Sequence, residues 1–143
     1  MSHTQRITRS AELESIAAFR DFIDHACARA HIDAQTCYDM KLAVDEACDN
    51  IITHGYAGMN PGSIMLELHL HPTRAVMTIT DFGHPFEPYE PEAPDLAAAL
   101  TSDQPVSGFG LFFIYRVMDS VDYQTTEDGN RLVLVKRLPQ VSA

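Results

Sequence analysis

The sequence predicts an α+β fold in two layers, with helices on one face of a mostly antiparallel sheet. Three observations predict it. Two long N-terminal stretches carry apolar residues at helical spacing. Two pairs of alternating segments are each joined by a short turn. The strands cluster together, with the helices apart, where a parallel sheet would alternate them one by one. At 143 residues the chain reads most simply as one domain, residues 1–143, a size that buries a sizeable core without disulfides or metal.

Residues 5–8 read as a short first strand. Ser10 then reads as a helix N-cap, because Leu13, Ile16, Ala17, Phe19, Ile23 and Ala26 follow as an apolar stripe. Asp33 caps a second helix that is expected to run to about Thr53 and stop at Gly55. In residues 63–71, Ile64, Leu66, Leu68 and Leu70 alternate onto one face, and residues 74–81 do the same with Ala75, Met77 and Ile79. His71-Pro72-Thr73-Arg74 joins the two as a hairpin. Residues 82–107 are punctuated by Pro85, Pro88, Pro91, Pro94 and Pro105, and only Asp95 to Leu100 reads as helical. A stretch of that length without firm structure is usually a functional loop or lid. A third helix is expected from about Gly108 to Asp119. Strands at 120–126 and 130–137, turned at Glu127-Asp128-Gly129-Asn130, close the chain.

Composition excludes some functions. Hydrophobic residues make up 45% and charged residues 21%, ordinary for a globular protein. The formal net charge of -10 argues against a nucleic-acid partner, which needs a basic stripe. Cys27, Cys37 and Cys48 are odd in number, widely spaced and without a C-x-x-C pair, the usage expected of buried reduced thiols. There is no apolar signal core and no run of membrane-spanning length, so the expected location is the cytoplasm, with no membrane partner.

Three segments carry chemistry. On the second helix Met40, Val44, Ala47, Cys48 and Ile51 fall on one face, and Glu46, Asn50 and His54 form an i, i+4, i+8 row along its edge. An Asn50 carbonyl there can serve Mg²⁺, which takes oxygen ligands, and Glu46 one turn away can orient or deprotonate a nucleophile. A solvated helix edge has the same residues. Asp81 ends the second hairpin strand with the parity of its core-facing residues. A buried carboxylate needs hydrogen-bond donors, and an adenine amino group is one. Gly83 permits a ring or backbone to come close. An ordinary turn aspartate fits the same pattern. Ser107-Gly108-Phe109-Gly110-Leu111 opens an apolar helix, where free N–H groups and the positive dipole end suit phosphate. The segment does not follow a strand directly, which argues against a dinucleotide crossover, and no P-loop is present. His69 and His71 share a strand face and read as a solvent-exposed pair. No G-x-S-x-G elbow supports a Ser/His/Asp triad.

These segments, in this order, resemble the boxes of the Bergerat-fold ATPases, the superfamily that includes histidine-kinase catalytic domains and gyrase. More closely, the chain resembles the anti-sigma factor serine-protein kinases. The N-box matches Asp45 to Tyr56, the D-x-G-x-P-F box matches Asp81 to Phe86, and the glycine box and its tail match Gly108 to Leu111 and Met118 to Tyr123. The resemblance implies a two-layer α/β sandwich with a mostly antiparallel, mixed sheet and an ATP lid over about 87–107. It implies that ATP and Mg²⁺ are cofactors, that Glu46 is the general base for a substrate serine, and that Asn50 holds Mg²⁺. Asp81 would accept from the adenine amino group with Gly83 beside the base. His54, Pro85, Phe86, Ser107, Gly108, Phe109, Gly110 and Leu111 would complete the nucleotide site. The implied partners are an anti-sigma factor antagonist as protein substrate and a sigma factor or equivalent output protein. The first helix, about residues 11–30, is expected to serve a homodimer or the output-protein surface, with Arg20 and Arg29 as contacts.

Two positions depart from the family. An arginine often precedes the glycine box there, where this chain has Val106, and no Lys or Arg occurs between Arg74 and Arg116. Glu87 stands where aspartate is common. Phosphoryl transfer depends on neutralising transition-state charge. The sequence therefore supports two functions: a serine kinase that works by partner switching, and an ATP-binding interaction module with little or no kinase activity.

Overall fold

The structure is a computed structural model, and it describes residues 3–85 and 109–139. The elements run β1 (His3–Ser10), α1 (Ser15–Ala30), α2 (Ala34–Asn50), a π-helical turn (Ile51–Gly55), β2 (Ser63–Leu70), β3 (Arg74–Asp81), α3 (Phe109–Val117), β4 (Ser120–Thr126) and β5 (Gly129–Arg137). The five strands form one sheet in the order β1-β2-β3-β5-β4. Every pairing among the described residues is antiparallel, so the sheet is α+β as expected but without a parallel pair. The reason is topological. The chain returns through α3 to lay β4 at the far edge, and β5 then folds back as a hairpin between β4 and β3.

The period-2 pattern of the strands builds the core. Ile7, Leu66, Ile79, Leu132 and Tyr123 align as one cross-sheet row, and Gln5, Leu68, Met77, Leu134 and Val121 as the next. Phe19, Ile23 and Ala26 of α1 and Met40, Val44, Ala47 and Cys48 of α2 close over these rows, all buried. Ile114 of α3 joins the same cluster. All three cysteines are free and buried. No helix of the described residues is long and apolar enough to cross a membrane.

Local signals and tertiary packing disagree at the start of α1. Ser10 does not cap a helix: it is the last residue of β1, paired with Ser63. The strand continues its pairing through Ala11 N–H, which donates to the Gly62 carbonyl at 2.8 Å. Residues 11–14 make a turn, with Ser15 N–H donating to the Glu12 carbonyl at 2.9 Å, and the helix starts only at Ser15. Leu13, expected on the apolar stripe, is consequently 62% exposed, and Ala17 is exposed as well. Asp33 does cap α2, its carboxylate accepting from Thr36 N–H at 3.0 Å. The β4–β5 turn is also tighter than the sequence reading: Glu127 and Asp128 alone form the loop, and Gly129 and Asn130 already pair in the ladder.

Leu66 lies in the middle of the sheet, fully buried between Ile7 and Ile79. Leu66→Ala should lower the stability of the fold by roughly 2–5 kcal/mol, the range for emptying a central leucine site. Urea unfolding followed by circular dichroism measures this directly.

Candidate functional site

The site begins where α2 stops being an α-helix. Its last turns carry Glu46 and Asn50, both half-buried along the edge of the core-facing stripe. At Ile51 the backbone widens into the π-helical turn, and Tyr56 N–H bonds to the carbonyl of Ile51, five residues back, at 3.0 Å. Such wide turns are rare and concentrate at functional sites. The row Glu46, Asn50, His54 expected for an uninterrupted helix is therefore broken after Asn50, and His54 is exposed. The widened turn instead delivers the Gly55 carbonyl to the loop after β3, where it accepts from His84 N–H at 2.5 Å.

Asp81 is the centre of the site. It is 3% exposed at the end of β3, facing the helices. Its Oδ1 accepts from Gly83 N–H at 2.9 Å and from Asn130 Nδ2 at 3.0 Å. Asn130, also 3% exposed, directs the same amide at the Gly83 carbonyl, 2.9 Å away. Asn130 is the ladder partner of Asp81 across the β3–β5 pair, in a row with Ile64. Among the described residues both hydrogen bonds to this carboxylate fall on Oδ1. The donors that a buried carboxylate needs are thus supplied partly by the protein itself. No hydrogen bond among the described residues falls on Oδ2.

Glycines hold this arrangement at close quarters. A Cβ on Gly83 would overlap the carbonyl of Gly55 and come within 3.1 Å of Tyr56 N. The partner that Gly83 admits is therefore backbone, the end of the π-helical turn. Gly129, at φ +125°, lies under Asp81, and a Cβ there would sit 2.8 Å from the Asp81 carbonyl oxygen. Tyr56 rivets the same region: its hydroxyl donates to the Ser63 carbonyl at 2.8 Å and accepts from Phe82 N–H at 2.9 Å. Burial pushes the Tyr56 phenol above its ordinary value, with Asp81 adding to the shift and the Phe82 bond opposing it.

Glu46 faces a second feature, a groove of about 530 Å³ between α1 and α2 lined by Ile16, Arg20, Tyr38, Leu42, Asp45 and Glu46, among others. Partial burial, then Asp49 and Asp45, raise the Glu46 carboxyl above the usual carboxylate range. Asp45 is bound by Arg20 through two nitrogens, Nε at 2.7 Å and Nη2 at 2.6 Å. Its Oδ1 is buried with no hydrogen-bond partner among the described residues. Burial and the same neighbouring aspartates push the Cys48 thiol up to about 12, which keeps it protonated and inert.

The structure thus brings Glu46 and Asn50 onto one helix edge, and gathers Asp81 and Gly83 against the end of the same N-box. His54 and Pro85 lie at the exposed rim. Phe109, Gly110 and Leu111 form the first turn of α3. Phe86, Ser107, Gly108 and the expected lid over 87–107 lie outside the described residues. His69 is engaged with Thr4 Oγ1 at 3.0 Å and lies 3.5 Å from Glu67, and no group of three potential metal-ligating His, Cys, Asp or Glu side chains occurs among the described residues. Sequence reasoning missed Asn130 and the bridging role of Tyr56. Asn130 was detectable in one respect: it shares the inward parity of Leu132 and Leu134, and a polar residue on a core-facing row demands a partner.

A family model for the histidine kinase-like ATPase domain matches residues 9–136, and the chain belongs to that family. The chain is similar to the serine/threonine-protein kinase BtrW of Bordetella bronchiseptica, 29% identical over 113 residues that cover 79% of each protein. It is equally similar to the serine-protein kinase RsbW of Halalkalibacterium halodurans, 29% identical over 138 residues, 94% of this chain and 83% of that protein. Among solved structures, the RsbU and RsbW domains of a Mycobacterium tuberculosis protein superpose with a TM-score of 0.70 at 16% identity. That match covers 98% of this chain and 34% of the longer one, and it establishes a shared fold. The resemblance to the anti-sigma factor serine kinases stands with these relatives, and the family implies ATP binding.

The residues present fit a nucleotide and its metal. Asp81 accepts both of its described hydrogen bonds on Oδ1, beside a glycine, and Asn50 stands on the same half-buried helix edge as the Glu46 carboxyl. The raised Glu46 carboxyl also has a consequence that needs no ligand. A carboxyl whose folded pKa lies above its unfolded value binds protons more readily in the folded state. Stability therefore falls as pH rises from the ordinary glutamate range through the folded pKa. Glu46→Gln should leave stability unchanged at a pH below the ordinary glutamate value and raise it at neutral pH. Urea midpoints measured at both pH values check the sign.

Proposed function

We propose that this protein is an ATP-dependent serine kinase of the anti-sigma type, which phosphorylates a protein antagonist and sequesters a sigma factor or equivalent output protein by partner switching. The observation that carries the reading is the position of Glu46. It lies one helical turn from Asn50, on the edge that faces the groove between α1 and α2. A polypeptide seated in that groove would present a serine hydroxyl to the Glu46 carboxylate. Glu46 accepts the hydroxyl proton as the serine oxygen bonds to the terminal phosphorus of ATP and the bond to the ADP oxygen breaks. A carboxyl of raised pKa is the better base for this task, provided it is ionised at working pH. Asp81 reads the adenine amino group through Oδ2. Asn50 would hold Mg²⁺, and that ion would supply charge neutralisation at the phosphates. Gly110 lies in the first turn of α3 and Gly108 directly precedes that helix in the sequence; its N-terminal amides would suit the phosphate chain.

Arg20 belongs to the partner surface in this reading. Its side chain is 55% exposed at the groove while it pairs with Asp45, the residue before Glu46. Arg29 lies more than two turns further along α1, beside a separate cavity lined by His3, Gln5 and Leu70. A second function keeps its support from one sequence feature. With no Lys or Arg between Arg74 and Arg116, the lid segment brings no cation to the terminal phosphate. An ATP-binding module with little or no transferase activity has that composition too.

Incubating the protein with labelled ATP and a candidate antagonist separates the two. A kinase labels a serine of the antagonist, and Glu46→Gln abolishes labelling while calorimetry still records ATP binding. Asp81→Asn should weaken ATP binding by about 1–3 kcal/mol, the cost of an unmet buried hydrogen bond. Asn50→Ala should weaken only the Mg²⁺-dependent part of the affinity. If Glu46→Gln transfers phosphate as fast as wild type, Glu46 is not the base.

Reversing both Arg20 and Arg29 to glutamate should weaken capture of the output protein without changing ATP affinity. Pull-down together with calorimetry on the same variant tests this. Undiminished capture would place the contact surface elsewhere.

A further inference from the structure

A lysine occupies the core-facing row of β5. Asn130, Leu132, Leu134 and Lys136 share one parity, and the first three are buried. The Lys136 side chain is only 17% exposed, and its ammonium makes two contacts on the helical layer. It lies 3.1 Å from Asp39 Oδ2 on α2, a carboxylate that is itself 15% exposed. It also donates to the carbonyl of Val117, the last residue of α3. Gln35 Nε2 donates to the other oxygen of Asp39 at 2.9 Å, which holds that carboxylate in place. Below α3, Asp119 N–H donates to the Val135 carbonyl at 2.8 Å, and its carboxylate accepts from Arg137 N–H at 2.6 Å.

A largely buried ammonium is costly unless paired, and here its charge is used twice. It neutralises Asp39, and it satisfies one of the carbonyls that a helix C-terminus leaves open, where the helix dipole favours a cation. The two helices it joins are the two that serve the candidate site. On α2, Glu46 and Asn50 lie seven and eleven residues beyond Asp39, roughly 10 and 16 Å along the axis at 1.5 Å per residue. On α3, the first turn, Phe109 to Leu111, lies at the opposite end from Val117. Lys136 therefore holds the ends of both helices that are remote from the nucleotide.

From this we infer that Lys136 is a positioning residue: by clamping Val117 to Asp39 it fixes the angle of α3 against α2, and so sets the distance between the first turn of α3, at Phe109 to Leu111, and Asn50. The inference rests on the nucleotide reading given above. It makes Lys136 a determinant of phosphate affinity that touches neither phosphate nor base.

The test uses the full chain with Lys136→Met, which keeps the stem and removes the charge, Asp39→Asn, which keeps the helix cap and removes the ion pair, and Lys136→Arg as the conservative variant. Hydrogen exchange without nucleotide comes first. Amides in residues 113–118 should exchange at least about tenfold faster in Lys136→Met, and less so in Asp39→Asn, while β2 and β3 keep wild-type protection. Calorimetry follows with ATP, ADP and AMP in the presence of Mg²⁺. Lys136→Met should weaken ATP on the order of tenfold, as expected of a slight misplacement, with a smaller loss for ADP and none for AMP, and Lys136→Arg should restore ATP. An equal loss for all three nucleotides, or unchanged α3 exchange with unchanged ATP affinity, overturns the inference. If Lys136→Met does not fold, the same comparison between Asp39→Asn and Lys136→Arg decides it. Failure of wild type to bind ATP would sink the nucleotide reading, while α3 exchange still reports on the clamp.

Discussion

The hydrogen bonds around the Asp81 carboxylate are the constraint from which the site follows. A carboxylate this deeply buried persists only if donors surround it. The protein provides them from two directions: Gly83 N–H two residues on, and the Asn130 amide from the neighbouring strand. Asn130 can reach only because the β3–β5 register puts it directly opposite Asp81. The chain path that places β5 between β3 and β4 is therefore a requirement of the site as well as of the sheet. Asn130 also bonds the Gly83 carbonyl, so one amide fixes both the carboxylate and the loop that follows it.

The same loop is pressed from the helical side. The π-helical turn carries the Gly55 carbonyl against Gly83 and His84, and Tyr56 joins Ser63 to Phe82 through one hydroxyl. The N-box and the D-x-G loop are thus one packed unit, with glycine required at position 83 because a Cβ there would overlap the Gly55 carbonyl. A continuous α-helix through His54 would have carried the chain along its axis. The wider turn brings the backbone sideways onto the loop instead, and leaves Asn50 and Glu46 half-exposed about one and two turns before His54. Half-exposure is what the proposed roles of both residues ask for: shelter for electrostatic strength and access for a ligand.

Charge on this acidic chain is used locally. Arg20 is committed to Asp45 at the mouth of the α1–α2 groove, and Lys136 to Asp39 beneath the helices. The first pair is half open to solvent, through an Arg20 side chain that is 55% exposed, so water weakens it. The second is mostly buried, so losing either partner leaves an uncompensated charge. They also serve different ends of α2: the groove pair stands next to Glu46, while the buried pair anchors the opposite end.

The sequence by itself determined the elements whose signal is local or periodic. Strands at 63–70 and 74–81 follow from strict alternation, and α2 from its Asp33 cap and its face of Met40, Val44, Ala47 and Cys48. The inward direction of Asp81 follows from parity alone. Tertiary structure decided what depends on a competing long-range partner. Ser10 has the chemistry of an N-cap, yet pairing with β2 claimed it, and the helix began five residues later. The break at Ile51 cannot be read from helical spacing, because an α-helix and a π-turn accept the same residues, and contact with Gly83 selects between them. Asn130 and Lys136 show the same limit: parity says that each points inward, but only the assembled sheet and helices reveal the carboxylates waiting there. Local patterns constrain which way a side chain faces, and the register between segments distant in sequence decides what it meets.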